Sequence, residues 1–113
     1  MLLAKDGVRI KKFTPVLLHI WTKLESLNAA LGLVGWPADW VITSVHDGHH
    51  TPGGAHYRDE AIDLRVHNFT NAQKDILEGY LKSWFGSRFY VDLEAKGTAN
   101  EHIHIQLRKG WAF

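Results

Sequence analysis

The chain contains no cysteine. This absence excludes disulfide bonds, thiolate metal sites and a cysteine nucleophile. Any metal ion that the protein binds must therefore be held by histidine, aspartate or glutamate side chains. Because reducing and oxidising locations both tolerate the absence, it does not indicate a cellular compartment.

Long apolar runs are also missing. No stretch approaches the roughly 20 apolar residues that span a bilayer, so we expect no membrane insertion. The N-terminal segment MLLAKDGVRIKK lacks the uninterrupted apolar region of a signal peptide. If the protein acts outside the cytoplasm, we expect another component to deliver it.

The charges show little excess of either sign. The formal net charge is +1 and the basic residues are spread along the chain, which gives no electrostatic case for a nucleic-acid partner. The 113 residues, of which 45% are hydrophobic, predict one domain covering residues 1–113 with a core of its own.

Two helices are predicted from capping residues and apolar spacing. Thr14 is a favourable N-cap for a helix over 14–32, and Pro15 suits its first position. Thr70 and Gln73 have capping-box spacing at the start of a second helix over 70–86. We expect the second helix to bury an apolar stripe of Ala72, Ile76, Tyr80, Leu81 and Trp84.

Four strands are predicted over 40–45, 61–66, 88–95 and 102–108 from their β-branched content and alternation. The segment KGTANE is long enough to join the last two as a hairpin. The order of elements predicts an α+β fold in which two main helices pack on one face of a small, mostly antiparallel sheet.

The eight histidines are unevenly distributed. His46, His49 and His50 fall in a Gly- and Pro-containing loop, where a solvated side chain is the more common situation. His56 comes at the end of this loop, shortly before Asp63 in a strand. His102 and His104 alternate on the last predicted strand, so they share a face with Gln106.

Three of these side chains are candidate zinc ligands: His56, Asp63 and His104. A catalytic zinc ion usually has three protein ligands and one open position, and it needs a further carboxylate to move protons. Aspartate is disfavoured in strands and tends to mark a site or an edge. Glu101 is the natural spare carboxylate, although positions 101 and 104 of a regular strand lie on opposite faces. We therefore expect the last strand to begin after Glu101 or to bend there.

Two segments resemble the signatures of the zinc D-Ala-D-Ala metallopeptidases. HYRDEAIDLR is similar to the family pattern S-x-H-x-x-G-x-A-x-D, and EHIH is similar to its second pattern, E-x-x-H. The resemblance extends over residues 41–107. The family includes D-Ala-D-Ala dipeptidases and carboxypeptidases and phage L-alanyl-D-glutamate endolysins, and the Hedgehog signalling domain is a structural relative.

This resemblance implies a Hedgehog-like fold and one Zn²⁺ ion bound by His56, Asp63 and His104. Glu101 would be the catalytic carboxylate, and His102 would support the metal site or stabilise the oxyanion. The implied activity is hydrolysis of amide bonds in peptidoglycan stem peptides, of either the carboxypeptidase or the endopeptidase type. We further expect a monomer encoded by a phage or prophage, made in the cytoplasm and acting on the cell wall.

Three features depart from the family pattern. Gly54 stands where the family has serine, and Asp59 stands where it has glycine. The family's arginine for a substrate carboxylate is also missing from the segment after the first long strand. Candidate replacements for this substrate-binding role are Arg58, Arg65, His46 and His49.

Two other function classes stay open on the sequence alone. One is a zinc-stabilised binding module without peptidase activity, as in the Hedgehog relative. The other is an interaction domain that binds no metal. Zinc content separates the second from the rest, and loss of hydrolysis on replacement of Glu101 separates a peptidase from a binding module.

Overall fold

A computed structural model describes residues 2–11, 13–45, 60–108 and 111 of the chain. These residues confirm the predicted α+β class, with two helices and a five-stranded sheet. In chain order the elements are β1 (Leu2–Ala4), α1 (Pro15–Gly32), β2 (Trp40–Ser44), β3 (Ala61–Arg65), α2 (Asn71–Phe85), β4 (Phe89–Glu94) and β5 (His102–Leu107).

The sheet is mixed, with the strand order β1-β2-β3-β5-β4. β1 pairs with β2 in parallel, whereas the other three pairings are antiparallel. Sequence analysis did not predict β1, since three residues are too short to show an alternating pattern. β4 and β5 form the predicted hairpin, and β5 lies between β3 and β4.

Helix α1 begins as its sequence predicts. The Thr14 hydroxyl accepts a hydrogen bond of 3.0 Å from the amide of Leu17, and Pro15 occupies the first turn. The helix then buries one stripe of side chains against the sheet. These are Val16, Leu17, Ile20, Leu24, Leu27 and Asn28.

Helix α2 has the predicted capping box. The Thr70 hydroxyl accepts from the Gln73 amide, and the Gln73 side chain accepts from the Thr70 amide. The predicted apolar stripe was right at Leu81, which is buried, and wrong at Ile76 and Tyr80, while Trp84 is partly buried against the core. Ile76 and Tyr80 are exposed, and the buried side chains are Leu77, Leu81 and Phe85. The helix is therefore rotated so that Leu77 and Phe85, in place of Ile76 and Tyr80, join Leu81 in the hydrophobic core.

The two faces of the sheet differ in character. On one face, alternate residues such as Ile62, Leu64, Ile103 and Ile105 join the buried residues of both helices in one hydrophobic core. On the opposite face, the intervening positions are mostly polar or charged, so the alternation of each strand places chemically active side chains there. Within the described part of the chain, no helix is both long and apolar enough to cross a bilayer.

Candidate metal centre

Asp63 and His104 lie directly opposite each other on the antiparallel strands β3 and β5. The Asp63 Oδ1 atom is 2.8 Å from His104 Nδ1, which is a hydrogen-bond distance. His104 is one of the few buried polar residues in the described part of the chain, with 9% of its surface exposed. Two of the three predicted zinc ligands therefore contact each other on the polar face of the sheet.

The second nitrogen of His104 also faces an oxygen. Nε2 lies 2.5 Å from Gln106 Oε1 on the same strand. A ring with an oxygen acceptor at each nitrogen is fully satisfied when both nitrogens carry a proton. Burial by itself lowers the pKa of His104, but the hydrogen bonds to Asp63 and Gln106 and the nearby carboxylates outweigh it, so the pKa is raised. This environment favours positive charge at the imidazole.

His102 lies two residues before His104 on β5, on the same face of the sheet. Its Nδ1 donates to the Asn100 carbonyl at 2.6 Å, and its Nε2 lies 3.2 Å from Glu94 Oε1. The same Nε2 is 3.8 Å from Asp63 Oδ1. Glu94, His102, Asp63 and His104 therefore form a continuous row of alternating carboxylates and imidazoles across three strands.

A second aspartate flanks His104 from the other side. Asp92 on β4 is the cross-strand partner of His104, but its carboxylate accepts a hydrogen bond of 3.1 Å from the Tyr90 hydroxyl. The Tyr90 ring meets the His104 ring edge to face, with the centroids 6.0 Å apart. Burial and the bond to Asp92 raise the pKa of the Tyr90 phenol. Tyr90 and Asp92 thus form one wall beside the imidazole.

Glu101 immediately precedes β5, so the strand begins after it. Glu101 is therefore not bound by the strand alternation that would place it on the face opposite His104. Its Oε1 atom pairs with Lys74 Nζ of α2 at 2.5 Å, and its Oε2 atom accepts from the Gly97 amide at 3.4 Å. The hydrogen bond from Lys74 is the main cause that lowers the pKa of Glu101. Glu101 is therefore an ionised carboxylate held between α2 and the β4–β5 turn.

A cleft of about 590 Å³ brings these groups to one surface. Asp63, Glu101 and His102 line it together, and Asp63 connects it to the buried His104. Arg65, which is the cross-strand neighbour of His102, lines the same cleft. The predicted base, one predicted ligand and one candidate for binding a substrate carboxylate thus border a single cavity.

The remaining predicted site residues lie outside the described residues. These are the ligand His56 and the substrate-binding candidates His46, His49 and Arg58, together with the departures at Gly54 and Asp59. In the described ranges alone, no group of three histidine, aspartate or glutamate side chains is arranged to hold a metal ion. The ligand set that the sequence predicts therefore has two described members, Asp63 and His104.

Five residues described at the site were not assigned a role from the sequence: Lys74, Tyr90, Asp92, Glu94 and Gln106. Gln106 was placed on the histidine face but without a partner. The place of Glu94 beside His102 depends on the register of the β4–β5 hairpin, in which the two residues are cross-strand partners. Lys74 had no signal, because its contact with Glu101 spans 27 positions of chain and depends on how α2 packs.

Comparisons with protein-family models, with curated proteins and with solved structures found no match to this chain.

Proposed function

We propose that this protein is a zinc-dependent peptidase, similar to the D-Ala-D-Ala metallopeptidases, that hydrolyses amide bonds in peptidoglycan stem peptides. The observation that carries the proposal is the contact between Asp63 and His104, since two residues 41 positions apart in the chain meet on a polar face. On the sequence alone, both residues are candidate zinc ligands. The mixed sheet with its helices on the opposite face suits the Hedgehog-like architecture that we propose with it.

The donor set fits a zinc ion. Zinc binds imidazole nitrogen and carboxylate oxygen, and the ligands must give up their protons to bind it. The His104 imidazole lies between two oxygen acceptors, an environment that favours a positive charge at that point. We propose that Asp63, His104 and His56 hold the ion in place of the proton that Asp63 and His104 otherwise share.

When bound, zinc polarises a carbonyl group and makes a coordinated water more acidic. Glu101 supplies the proton transfers. Its carboxylate takes a proton from the attacking water and passes it to the nitrogen of the amide as the C–N bond breaks. We propose that His102, whose Nδ1 is held by the Asn100 carbonyl, exchanges the Glu94 partner of its Nε2 for the oxyanion that forms on the substrate carbonyl and donates a hydrogen bond to it.

Arg65 is the described candidate for binding a substrate carboxylate. It lines the cleft beside His102, and a guanidinium group binds a carboxylate through two parallel hydrogen bonds. Arg58, His46 and His49 are the alternatives for this role in the segment outside the described residues. We propose Arg65 as the first to test, since its place at the cleft is known.

The experiment is a digest of purified peptidoglycan, with mass analysis of the fragments, in the presence and absence of a chelator. We expect stem-peptide fragments from the zinc-loaded wild type and none after chelation. Glu101→Gln is expected to bind zinc normally and to release no fragments. Asp39→Asn, which removes an exposed carboxylate from the segment between α1 and β2, is the control and keeps activity.

A zinc-stabilised binding module is the second candidate. The engagement of both Glu101 oxygens by Lys74 and Gly97 favours it, because a carboxylate paired in this way also has a structural role. If the wild type binds zinc but releases no fragment from any stem peptide, the binding module is the correct function.

A further inference from the structure

Lys74 is the closest charged partner of Glu101. Lys74 lies in α2 and Glu101 lies in the connection between β4 and β5, and their charged atoms are 2.5 Å apart. Both side chains are shielded from solvent, with 13% of Lys74 and 10% of Glu101 exposed. A shielded pair of this kind is stronger and less sensitive to salt than an ion pair on an open surface.

The structure fixes both members of the pair. Lys74 lies in the first turn of α2, where its amide donates to the carbonyl of the N-cap Thr70 at 2.9 Å. The capping box locks the start of this helix and thereby the point from which the lysine side chain extends. On the other side, the Gly97 amide holds the second oxygen of Glu101. The carboxylate therefore has one orientation, with Lys74 at one oxygen and the β4–β5 turn at the other.

Other charges face Glu101 more weakly. Lys96 of the β4–β5 turn acts on it through space in the same direction as Lys74. Asp75 of α2 borders the neighbouring hollow with Lys74 and Lys96. The remaining titratable and charged residues of the cleft are Lys5, Asp63, Arg65, His67 and His102. Among all of these, Lys74 alone has a described hydrogen bond to the Glu101 carboxylate.

We propose that Lys74 is a positioning residue, which orients the Glu101 carboxylate at the cleft through the direct contact between the two side chains. This inference rests on the proposed peptidase function. It adds a residue of α2 to a site that the sequence signatures place entirely on the strands and their loops. Lys74 touches neither the metal ligands nor the substrate in this scheme and acts only through Glu101.

The chemical consequence has a definite sign. The hydrogen bond from Lys74, helped by the lysine charge, stabilises the ionised form of Glu101 and so lowers its pKa, whereas burial opposes this effect. A Glu101 carboxyl group that has taken a proton from water is therefore a stronger acid than an ordinary glutamic acid and gives the proton up more readily to the departing amine. Without Lys74, burial remains and both the hydrogen bond and the charge are lost, so the pKa of Glu101 rises.

The test compares Lys74→Met with Lys74→Arg and with Lys82→Met. Lys82 lies on the same helix, is half exposed and pairs with Glu78 at 3.7 Å, so it is a matched Lys–Glu pair away from the cleft. The first readout is the titration of the Glu101 carboxyl carbon by NMR in each zinc-loaded protein. We expect the midpoint to move to higher pH in Lys74→Met, to stay near the wild-type value in Lys74→Arg, and not to move in Lys82→Met.

The second readout is the pH profile of peptide hydrolysis. In Lys74→Met we expect the acid limb of kcat/KM to move to higher pH and kcat to fall while KM and zinc content are kept. Lys74→Arg is expected to restore the profile. A purely structural lysine would lower activity equally at all pH values.

The inference is overturned if the Glu101 midpoint is the same in wild type and Lys74→Met. The NMR titration does not require turnover, so it decides the role of Lys74 even if the wild type cleaves no peptide. Absence of cleavage by the zinc-loaded wild type overturns the proposed function instead. Should Lys74→Met fail to fold, Lys74→Leu, which also removes both the hydrogen bond and the charge, answers the same question.

Discussion

Asp63 and His104 are cross-strand partners whose side chains meet at 2.8 Å on the polar face of the sheet. Asp92 is the partner of the same histidine on its other side, but its carboxylate is bound by the Tyr90 hydroxyl. The histidine is thus flanked by two aspartates, of which only Asp63 makes a described contact with the imidazole. This asymmetry distinguishes the proposed metal ligand, Asp63, from its neighbour Asp92.

The two aspartates beside His104 give a prediction in which Asp92 is the control for Asp63. We expect Asp63→Asn to weaken zinc binding by more than about 100-fold, because loss of an outer partner alone costs about 10–100-fold and Asp63 is proposed as a direct ligand. Asp92→Asn is expected to stay within about 10-fold of the wild type. Competition with a coloured zinc chelator measures both. Equal affinities in the two variants would show that Asp63 is not a ligand.

Much of the fold follows from local sequence. The caps at Thr14 and Thr70 and the alternation of the four longer strands gave their elements to within a residue or two. The short strand β1 was missed because it forms only by pairing with β2. The stripe on α2 was only partly right, because Ile76 and Leu77 are adjacent apolar residues and packing decides that Leu77 faces the sheet.

The candidate site was predictable in its residue types and only in part in its contacts. Asp63 and His104 were identified from the sequence, and the register of β3 with β5 then determines that they meet. The contact of Glu101 with Lys74 was not predictable, since it depends on the position of α2 over the β4–β5 turn. Long-range contacts of this kind have no signature in the spacing of residues along the chain.

His19 gives a prediction about pH. Its ring stacks on Phe89 with the centroids 5.5 Å apart, and burial, followed by the charges of Lys23 and Arg88, lowers its pKa below the ordinary 6.5. The unfolded chain therefore binds a proton at this residue more readily than the folded protein does. The resulting stability is present above pH 6.5 and is lost as the pH falls through the lowered value.

We expect the free energy of unfolding of the wild type, relative to His19→Gln, to fall between pH 7.5 and pH 5. Urea unfolding at a series of pH values measures this difference. Subtracting the value for His19→Gln cancels the contribution of the other titrating groups, which the two proteins share. A difference that stays constant or increases toward low pH would contradict the lowered pKa.

The N-cap of α2 gives a prediction about stability. The Thr70 hydroxyl satisfies the Gln73 amide at 3.1 Å, so Thr70→Ala should cost about 1 kcal/mol of unfolding free energy. Thr70→Ser keeps the hydroxyl and should recover most of this loss. Thr22→Ala, which removes an exposed hydroxyl from within α1, should change the stability by less than about 0.5 kcal/mol. If Thr70→Ala is no more destabilising than Thr22→Ala, the capping box does not hold the helix start.

The most direct test of the zinc site is the number of zinc ions bound per chain by the wild type, His56→Ala and His50→Ala, measured by equilibrium dialysis and metal analysis. His50 belongs to the same histidine-rich segment but is not a proposed ligand, so it controls for the loss of an imidazole. The account predicts one tightly bound zinc ion in the wild type and in His50→Ala, and loss of tight binding in His56→Ala. No zinc in the wild type at saturating metal, or unchanged binding in His56→Ala, would contradict it.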